Sequence, residues 1–263
     1  MKFITLLTDF GLRDGYTGVM KGVIYRIAPN VQIADISHTI RPQNVIEGSL
    51  VWNRSYAYFP EGTVHVAVVD PGVGTRRRPI AARLGRYYFV CPDNGLITPI
   101  LEQAEKTGEP VEIVHLDQPR FWLPQVSNVF HGRDIFAPAA AHLSNGVPLS
   151  EMGSPVSDPV RAHPPQPEKL KNGWRGEVVT IDTFGNLSTN LTREQVEPLK
   201  SIRVRVAGKE IKGLVKTFGE RPPGELVALI DSDNNLAVSI VQGNAAGEIG
   251  AQVGAPVEVV AEA

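Results

Sequence analysis

Three short segments of the chain join an acidic or amide side chain to glycine. They are Thr8-Asp9-Phe10-Gly11, Asp70-Pro71-Gly72-Val73-Gly74-Thr75 and Pro92-Asp93-Asn94-Gly95. Each follows an apolar run, so each places a polar group at the end of a buried element, and the glycines let the backbone approach a ligand closely. Taken singly, such segments are ordinary turn formers. Gathered at one edge of a sheet, they make a shared polar site. The Asp70 segment carries the most information, because Arg76, Arg77 and Arg78 follow it. One of these arginines can reach back to Asp70, while the rest form a solvated face or lay their stems over the sheet. The loop is neither a Walker A sequence nor a dinucleotide fingerprint.

His131-Gly132-Arg133-Asp134 stands immediately before a helical stretch. Gly132 leaves the imidazole unobstructed, and a helix N-terminus brings donors near it. The six histidines (His38, His65, His115, His131, His142 and His163) form no HxxxH pair and no tight cluster with Cys91, so no metal site is expected. His38 and His65 are expected to be structural or exposed. Further along, Asp182-Thr183-Phe184-Gly185-Asn186, Asp231-Ser232-Asp233-Asn234-Asn235 and Gly243-Asn244-Ala245-Ala246 punctuate strand-like runs. An aromatic ring beside an amide can stack on a purine and read its edge. The alternative is a series of hairpin turns.

The elements that position these groups follow from apolar periodicity. Phe3–Leu7, Val31–Ile36 and Val64–Val69 read as strands, separated by a helix bearing Val19, Met20, Val23, Ile24 and Ile27 and by a second helix around Val45, Leu50 and Val51. This β-α-β-α-β order predicts an α/β domain with a mainly parallel sheet. Ile80–Leu84, Tyr87–Cys91 and Ile113–Leu116 add strands, and Ile135–Leu143 adds a helix. Prolines then crowd residues 155–167, after which β-branched alternation takes over in Val178–Ile181, Ile202–Val206, Ile211–Val215, Leu226–Ile230, Leu236–Ile240 and Val257–Val260. The expected layout is an α/β domain over 1–160, a Pro-rich linker over 161–171, and a smaller β-barrel domain over 172–263.

Composition bounds the function. With 26 Lys+Arg against 28 Asp+Glu over 263 residues, the net charge of −2 excludes a polycationic nucleic-acid arm as the working part. The single cysteine excludes an internal disulfide and points to the cytoplasm. Phe3–Leu7 is too short for a signal segment, and no apolar run reaches the roughly 20 residues that cross a bilayer, so neither membrane nor nucleic acid is an expected partner.

Taken in order from Thr8 to Ala246, these motifs closely resemble those of the S-adenosylmethionine (SAM) hydroxide adenosyltransferases, relatives of the SAM-dependent fluorinases and chlorinases. The resemblance rests on Leu7–Gly11, Val69–Thr75, Pro92–Gly95, Phe130–Asp134 and Asp182–Asn186. It implies an N-terminal α/β domain, a C-terminal β-barrel, and a homotrimer binding SAM between subunits. It further implies an Asp-Arg-His catalytic set at Asp70, Arg77 and His131, with Arg76 and Arg78 as alternatives one residue away. Asp9 would hold the ribose, Asp182 and Ser232 the methionine, and Phe184, Asn186 and Ala245 the adenine. Where the family more often has a Gly-containing turn after the serine, this chain has Asp233-Asn234-Asn235. In the halogenases the position of Asp70 is aromatic, so aspartate here implies water as nucleophile and adenosine plus methionine as products. No cofactor is implied, since SAM is the substrate. A halogenase and a non-catalytic SAM or adenosine sensor are the alternatives.

Overall fold

The computed structural model describes residues 2–261, and these divide into two compact units, one up to His163 and one from Pro164 onward. In the first unit, strands β1 (Lys2–Thr8), β2 (Val31–Ser37) and β3 (Val64–Val68) alternate with helices α1 (Tyr16–Ile27) and α2 (Val45–Ser55). Strands β4 (Pro79–Leu84) and β5 (Tyr87–Pro92) follow, then α3 (Thr98–Thr107), β6 (Val111–His115), α4 (Ala137–Ser144) and the short β7 (Ser154–Pro155). The sheet order is β2-β1-β3-β5-β4-β6-β7.

The expectation of a mainly parallel sheet is met in part. β2, β1, β3 and β5 run parallel, but β5–β4, β4–β6 and β6–β7 are antiparallel, so the sheet is mixed. The reason is local. Leu84 pairs with Tyr87 across the two-residue connection Gly85-Arg86, and Gly85 has a φ of 57°, which suits a tight hairpin that reverses the chain. Helices cover both faces. Met20, Val23 and Ile24 of α1 join α4 and β1 in one core, while Trp52 of α2 joins Ile100 and Leu101 of α3 in the other. Val19, expected on the packed face of α1, is instead 44% exposed. The buried face is set by Thr17, Met20, Val23 and Ile24.

The second unit is an antiparallel, barrel-like sheet of eight strands. It contains β8 (Glu168–Leu170), β9 (Gly173–Ile181), β10 (Leu187–Thr192), β11 (Ile202–Val206), β12 (Lys209–Lys212), β13 (Leu226–Ile230), β14 (Asn235–Ile240) and β15 (Pro256–Ala261). The order is β12-β11-β15-β9-β10-β14-β13, with β8 added on β9, so the Pro-rich stretch gives way to paired backbone by Glu168. Inward residues such as Val178, Leu187, Val204, Val238 and Val257 fill the interior. Two short helices, α5 (Arg193–Val196) and α6 (Ala245–Ile249), sit in its connections.

One core residue of the first unit carries a titration of its own. His65 on β3 is fully buried, hydrogen-bonded through Nδ1 to Thr5 Oγ1 at 2.8 Å and stacked on Phe89. Tyr56, Phe59 and Tyr87 close around it, and this desolvation pulls its pKa down to about 3. An unfolded histidine protonates near pH 6.5, so from there down to about 3 the unfolded chain binds one proton more than the folded one. Stability therefore falls as the pH is lowered through this window, by up to about 1.4 kcal/mol per pH unit from this residue. Urea unfolding of His65→Phe between pH 7 and pH 4 should show a shallower decline than the wild type. Equal slopes would exclude the assignment.

Candidate active site

The parallel part of the sheet brings its polar turns together. Val68 at the end of β3 pairs with Thr8 at the end of β1, and Val66 pairs with Val90 of β5. The carboxyl ends of β1, β3 and β5 therefore lie side by side and deliver Asp9, Asp70 and Asp93-Asn94 to one edge, where open α/β sheets bind ligands. The three segments singled out in the sequence share that edge.

At its centre is an ion pair. Arg77 Nε donates to both carboxylate oxygens of Asp70 at 2.9 Å, and its Nη2 makes a short contact to Oδ2. The Asp70 and Arg77 side chains are only 4% and 9% exposed. Arg77 Nη2 also lies 3.0 Å from His131 Nδ1, and the guanidinium sits 5.2 Å from the centre of the Phe136 ring. The spatial roles of the three consecutive arginines are thus distinct. Arg77 turns in to Asp70 and His131. Arg78 turns to the buried Asp93 (Nε to Oδ2, 2.8 Å) and to Asp158. Arg76 is exposed.

His131 precedes a single π-helical turn, Gly132–Phe136, that leads into α4. Such turns recur at functional sites. Gly132 has a role beyond clearing the imidazole. A Cβ there would lie 3.3 Å from both the Phe10 ring and the Met20 sulfur, so glycine lets this turn pack against the Asp9 segment. Gly74 is tighter still. Its φ is 75°, and a Cβ would fall 2.2 Å from the Asn128 carbonyl oxygen, which locks the Asp70 loop against the segment before His131. The fully buried Asp134 completes that segment by accepting from Ser127 N at 2.8 Å and from Arg133 Nε at 2.5 Å. Its position in the His131-Gly132-Arg133-Asp134 motif was visible in the sequence. Its bonding was not.

Asp9, half-buried, accepts from Gln43 N at 2.8 Å. Behind it, His38 is buried, with Nδ1 2.9 Å from Thr8 Oγ1 and Nε2 3.0 Å from Asp35. Both His38 and His65 are therefore structural and buried. An open cavity of about 450 Å³ lies against Pro42–Ile46, Asn94 and Ala162, bordered by the same Gln43 that binds Asp9. Neither a grouping of His, Cys, Asp and Glu fit to hold a metal ion nor a helix long and apolar enough to cross a membrane occurs among the described residues.

In the second unit, two of the three singled-out loops adjoin each other. Gly185 (φ 84°) packs on Asn244, and its carbonyl accepts from Ala246 N. The Asp182 carboxylate accepts from the backbone of Phe184 and Asn186 and from Asn186 Nδ2, which holds the loop closed and leaves Phe184 75% exposed. Ala245 opens α6 with its methyl group fully buried in the barrel core. Ser232 is exposed at the tip of the β13–β14 hairpin. That hairpin is tied to β10 by Ser188 Oγ, which donates to Asp231 at 2.7 Å.

Burial lowers the His131 pKa below its ordinary value of 6.5. The neighbouring Arg77 charge lowers it further, against weaker opposite effects of Asp70, Asp134 and a hydrogen bond to the Ser127 backbone. The imidazole is therefore neutral at pH 7, and since Arg77 donates to Nδ1, its proton resides on Nε2. NMR titration should place its midpoint below 6.5. In Arg77→Gln the midpoint should rise, because a cation is lost and Asp70 loses its partner. An unchanged midpoint would exclude the coupling.

Comparison with known proteins identifies the family. Residues 4–153 match the SAM hydroxide adenosyltransferase N-terminal domain, and residues 176–258 match the C-terminal domain of the same family. A Salinispora tropica protein named (R)-S-adenosyl-L-methionine hydrolase is 40% identical over 98% of each chain. A Thermus thermophilus protein of the same name is also 40% identical, over 98% of this chain and all of the other. The crystal structure of a conserved protein from Thermotoga maritima superposes with a TM-score of 0.89 at 38% identity, covering 98% of this chain and 99% of that one. Both domain models match in order and leave only short flanks and the stretch between them uncovered, so the chain belongs to the SAM hydroxide adenosyltransferase family.

Proposed function

We propose that this protein hydrolyses S-adenosyl-L-methionine to adenosine and L-methionine, with Asp70, Arg77 and His131 as the catalytic set. The observation that carries the reading is the buried, hydrogen-bonded Asp70–Arg77–His131 cluster in a chain that shares 40% identity over 98% of its length with a protein named for this hydrolysis.

The sulfonium makes methionine a good leaving group. As the C5′–O bond forms, the C5′–S bond breaks and its electron pair neutralises the sulfur. One water proton is released overall and leaves to bulk solvent. Arg77 Nη1 is buried with no protein partner, and neutral His131 carries a proton on Nε2, so both are N–H donors suited to an oxygen nucleophile that is becoming hydroxide. The Asp70 carboxylate fixes the guanidinium. Orienting the nucleophile in line with C5′ adds the entropic advantage of a held geometry. Asp9 holds the ribose, Asp182 and Ser232 the methionine end, and Phe184 and Asn186 the adenine, while Ala245, buried in the barrel core, supports that loop from behind. The first unit is the catalytic domain and the second the barrel domain. SAM is the substrate and no resident cofactor enters the reaction.

The working assembly in this reading is a homotrimer with its sites between subunits. The exposed Leu12, Tyr16, Val19 and Tyr25 offer apolar surface for assembly to cover. The single cysteine supports a cytoplasmic location.

Incubation with SAM in ¹⁸O-labelled water should yield methionine and adenosine carrying the label in its 5′-hydroxyl. Asp70→Ala and His131→Ala should each lower kcat by about 10²-fold or more, the scale of a lost positioned acid–base or oxyanion partner. Recovery of intact SAM would indicate a binding protein instead, and 5′-halo-adenosine formed in chloride or fluoride would indicate a halogenase.

A further inference from the structure

The Pro92-Asp93-Asn94-Gly95 turn has no part in the reaction proposed above, yet it holds both ends of the Asp70–Arg77 loop. Asn94 Nδ2 donates to the Val69 carbonyl at 2.9 Å, one residue before Asp70. Asp93 Oδ2 accepts from Arg78 Nε at 2.8 Å, one residue after Arg77, and Asp93 N donates to the Arg78 carbonyl at 2.9 Å. The Asp93 side chain is 2% exposed, and its other oxygen accepts from Val160 N. Two adjacent side chains therefore fix residues 69 and 78, and the chain between them carries the ion pair. Gly95 keeps the turn in place from its far side. Its φ is 96°, and a Cβ would lie 2.8 Å from Ala162 N and closer still to the Ala162 side chain.

We infer that Asp93 and Asn94 are positioning residues of the active site, a clamp that sets the separation and orientation of Asp70 and Arg77 without touching substrate. The inference rests on the SAM-hydrolase reading for its kinetic consequence and on geometry alone for its structural one. Asn94 is the cleaner of the two to remove. It is uncharged and makes one long-range side-chain bond, whereas loss of the Asp93 carboxylate leaves Arg78 half-buried beside Asp158 alone. When the clamp is released, the loop relaxes, and the guanidinium is free to leave its position 3.0 Å from His131 Nδ1. A misplacement of about 1 Å costs about 10²-fold in rate when binding is intact.

Two readouts test this in full-length Asn94→Ala, with Asp93→Asn as a second variant that keeps the shape of the side chain. The first is SAM hydrolysis. The clamp predicts a fall in kcat of about 10- to 100-fold with KM for SAM within about threefold of the wild type. A rise in KM at unchanged kcat would make Asn94 a substrate contact and overturn the inference. The second is the His131 titration followed by NMR, which needs no activity. The charged groups that act on His131 are Arg77, Asp70 and Asp134, with Arg77 foremost. Displacing the pair should therefore raise the midpoint, by less than Arg77→Gln raises it, because the opposing effect of Asp70 is lost as well. A wild-type midpoint in both variants would overturn the clamp even if the wild-type protein fails to turn over SAM, and that failure would count against the hydrolase reading alone. A folded variant with wild-type kcat would overturn the clamp and leave the hydrolase reading standing.

Discussion

The buried ion pair between Asp70 and Arg77 is the constraint around which the first unit is arranged. Taking two charges out of water costs several kcal/mol per ion, and only close geometry with further hydrogen bonds offsets it. Here the carboxylate receives the guanidinium through two nitrogens, the guanidinium also reaches His131, and the Phe136 ring lies against it. Bringing residue 77 back onto residue 70 requires a tight loop, which explains glycine at 74, where the backbone is left-handed and a Cβ would collide with the Asn128 carbonyl. The same contact ties the loop to the chain that leads into His131. A local turn, a long-range packing contact and a buried charge pair are thus one structural problem with one solution.

The sequence revealed much of this at the level of elements and less at the level of partners. Regular apolar runs marked β1, β2, β3 and α1, because each packs a continuous apolar face. Helix α3 carries no comparable signal. Its apolar residues, Ile100, Leu101 and Ala104, are few, and its sequence is otherwise polar. Strand β10 reads Leu-Ser-Thr-Asn-Leu-Thr, where only alternate residues face the core, so it resembles a turn between better-marked strands. The sheet was expected to be mainly parallel because βαβ order dominates the first seventy residues. The Gly85-Arg86 hairpin reverses direction, and only its short spacing hinted at that.

The site was legible in its residue types and not in its bonding. Asp70 and His131 stand out beside glycines. Among three consecutive arginines, the choice of inward-facing residue depends on Asp158, eighty residues from Arg78, and on Asp93, which draws Arg78 the other way. No local pattern encodes a partner at that distance. The histidines behave alike. Gly132 sets His131 apart from His38 and His65 in sequence, but only the structure shows their partners: one is held between Thr8 and Asp35, the other is enclosed by aromatic rings, and His131 meets Arg77.

The pairing also resolves an electrostatic conflict in the proposed reaction. An oxygen nucleophile that becomes anionic needs strong N–H donors, and an arginine supplies them in fixed geometry. A sulfonium substrate, however, is repelled by a bare cation. Two like charges 4 Å apart at an effective dielectric of 20 cost about 4 kcal/mol. With Asp70 on the guanidinium and His131 kept neutral by burial and by Arg77, the cluster presents donors while carrying no net positive charge. The aspartate is then required twice over, to place the arginine and to cancel its field at the sulfur. An aromatic side chain at position 70 satisfies neither condition, and it leaves the inward arginine as an unpaired buried cation.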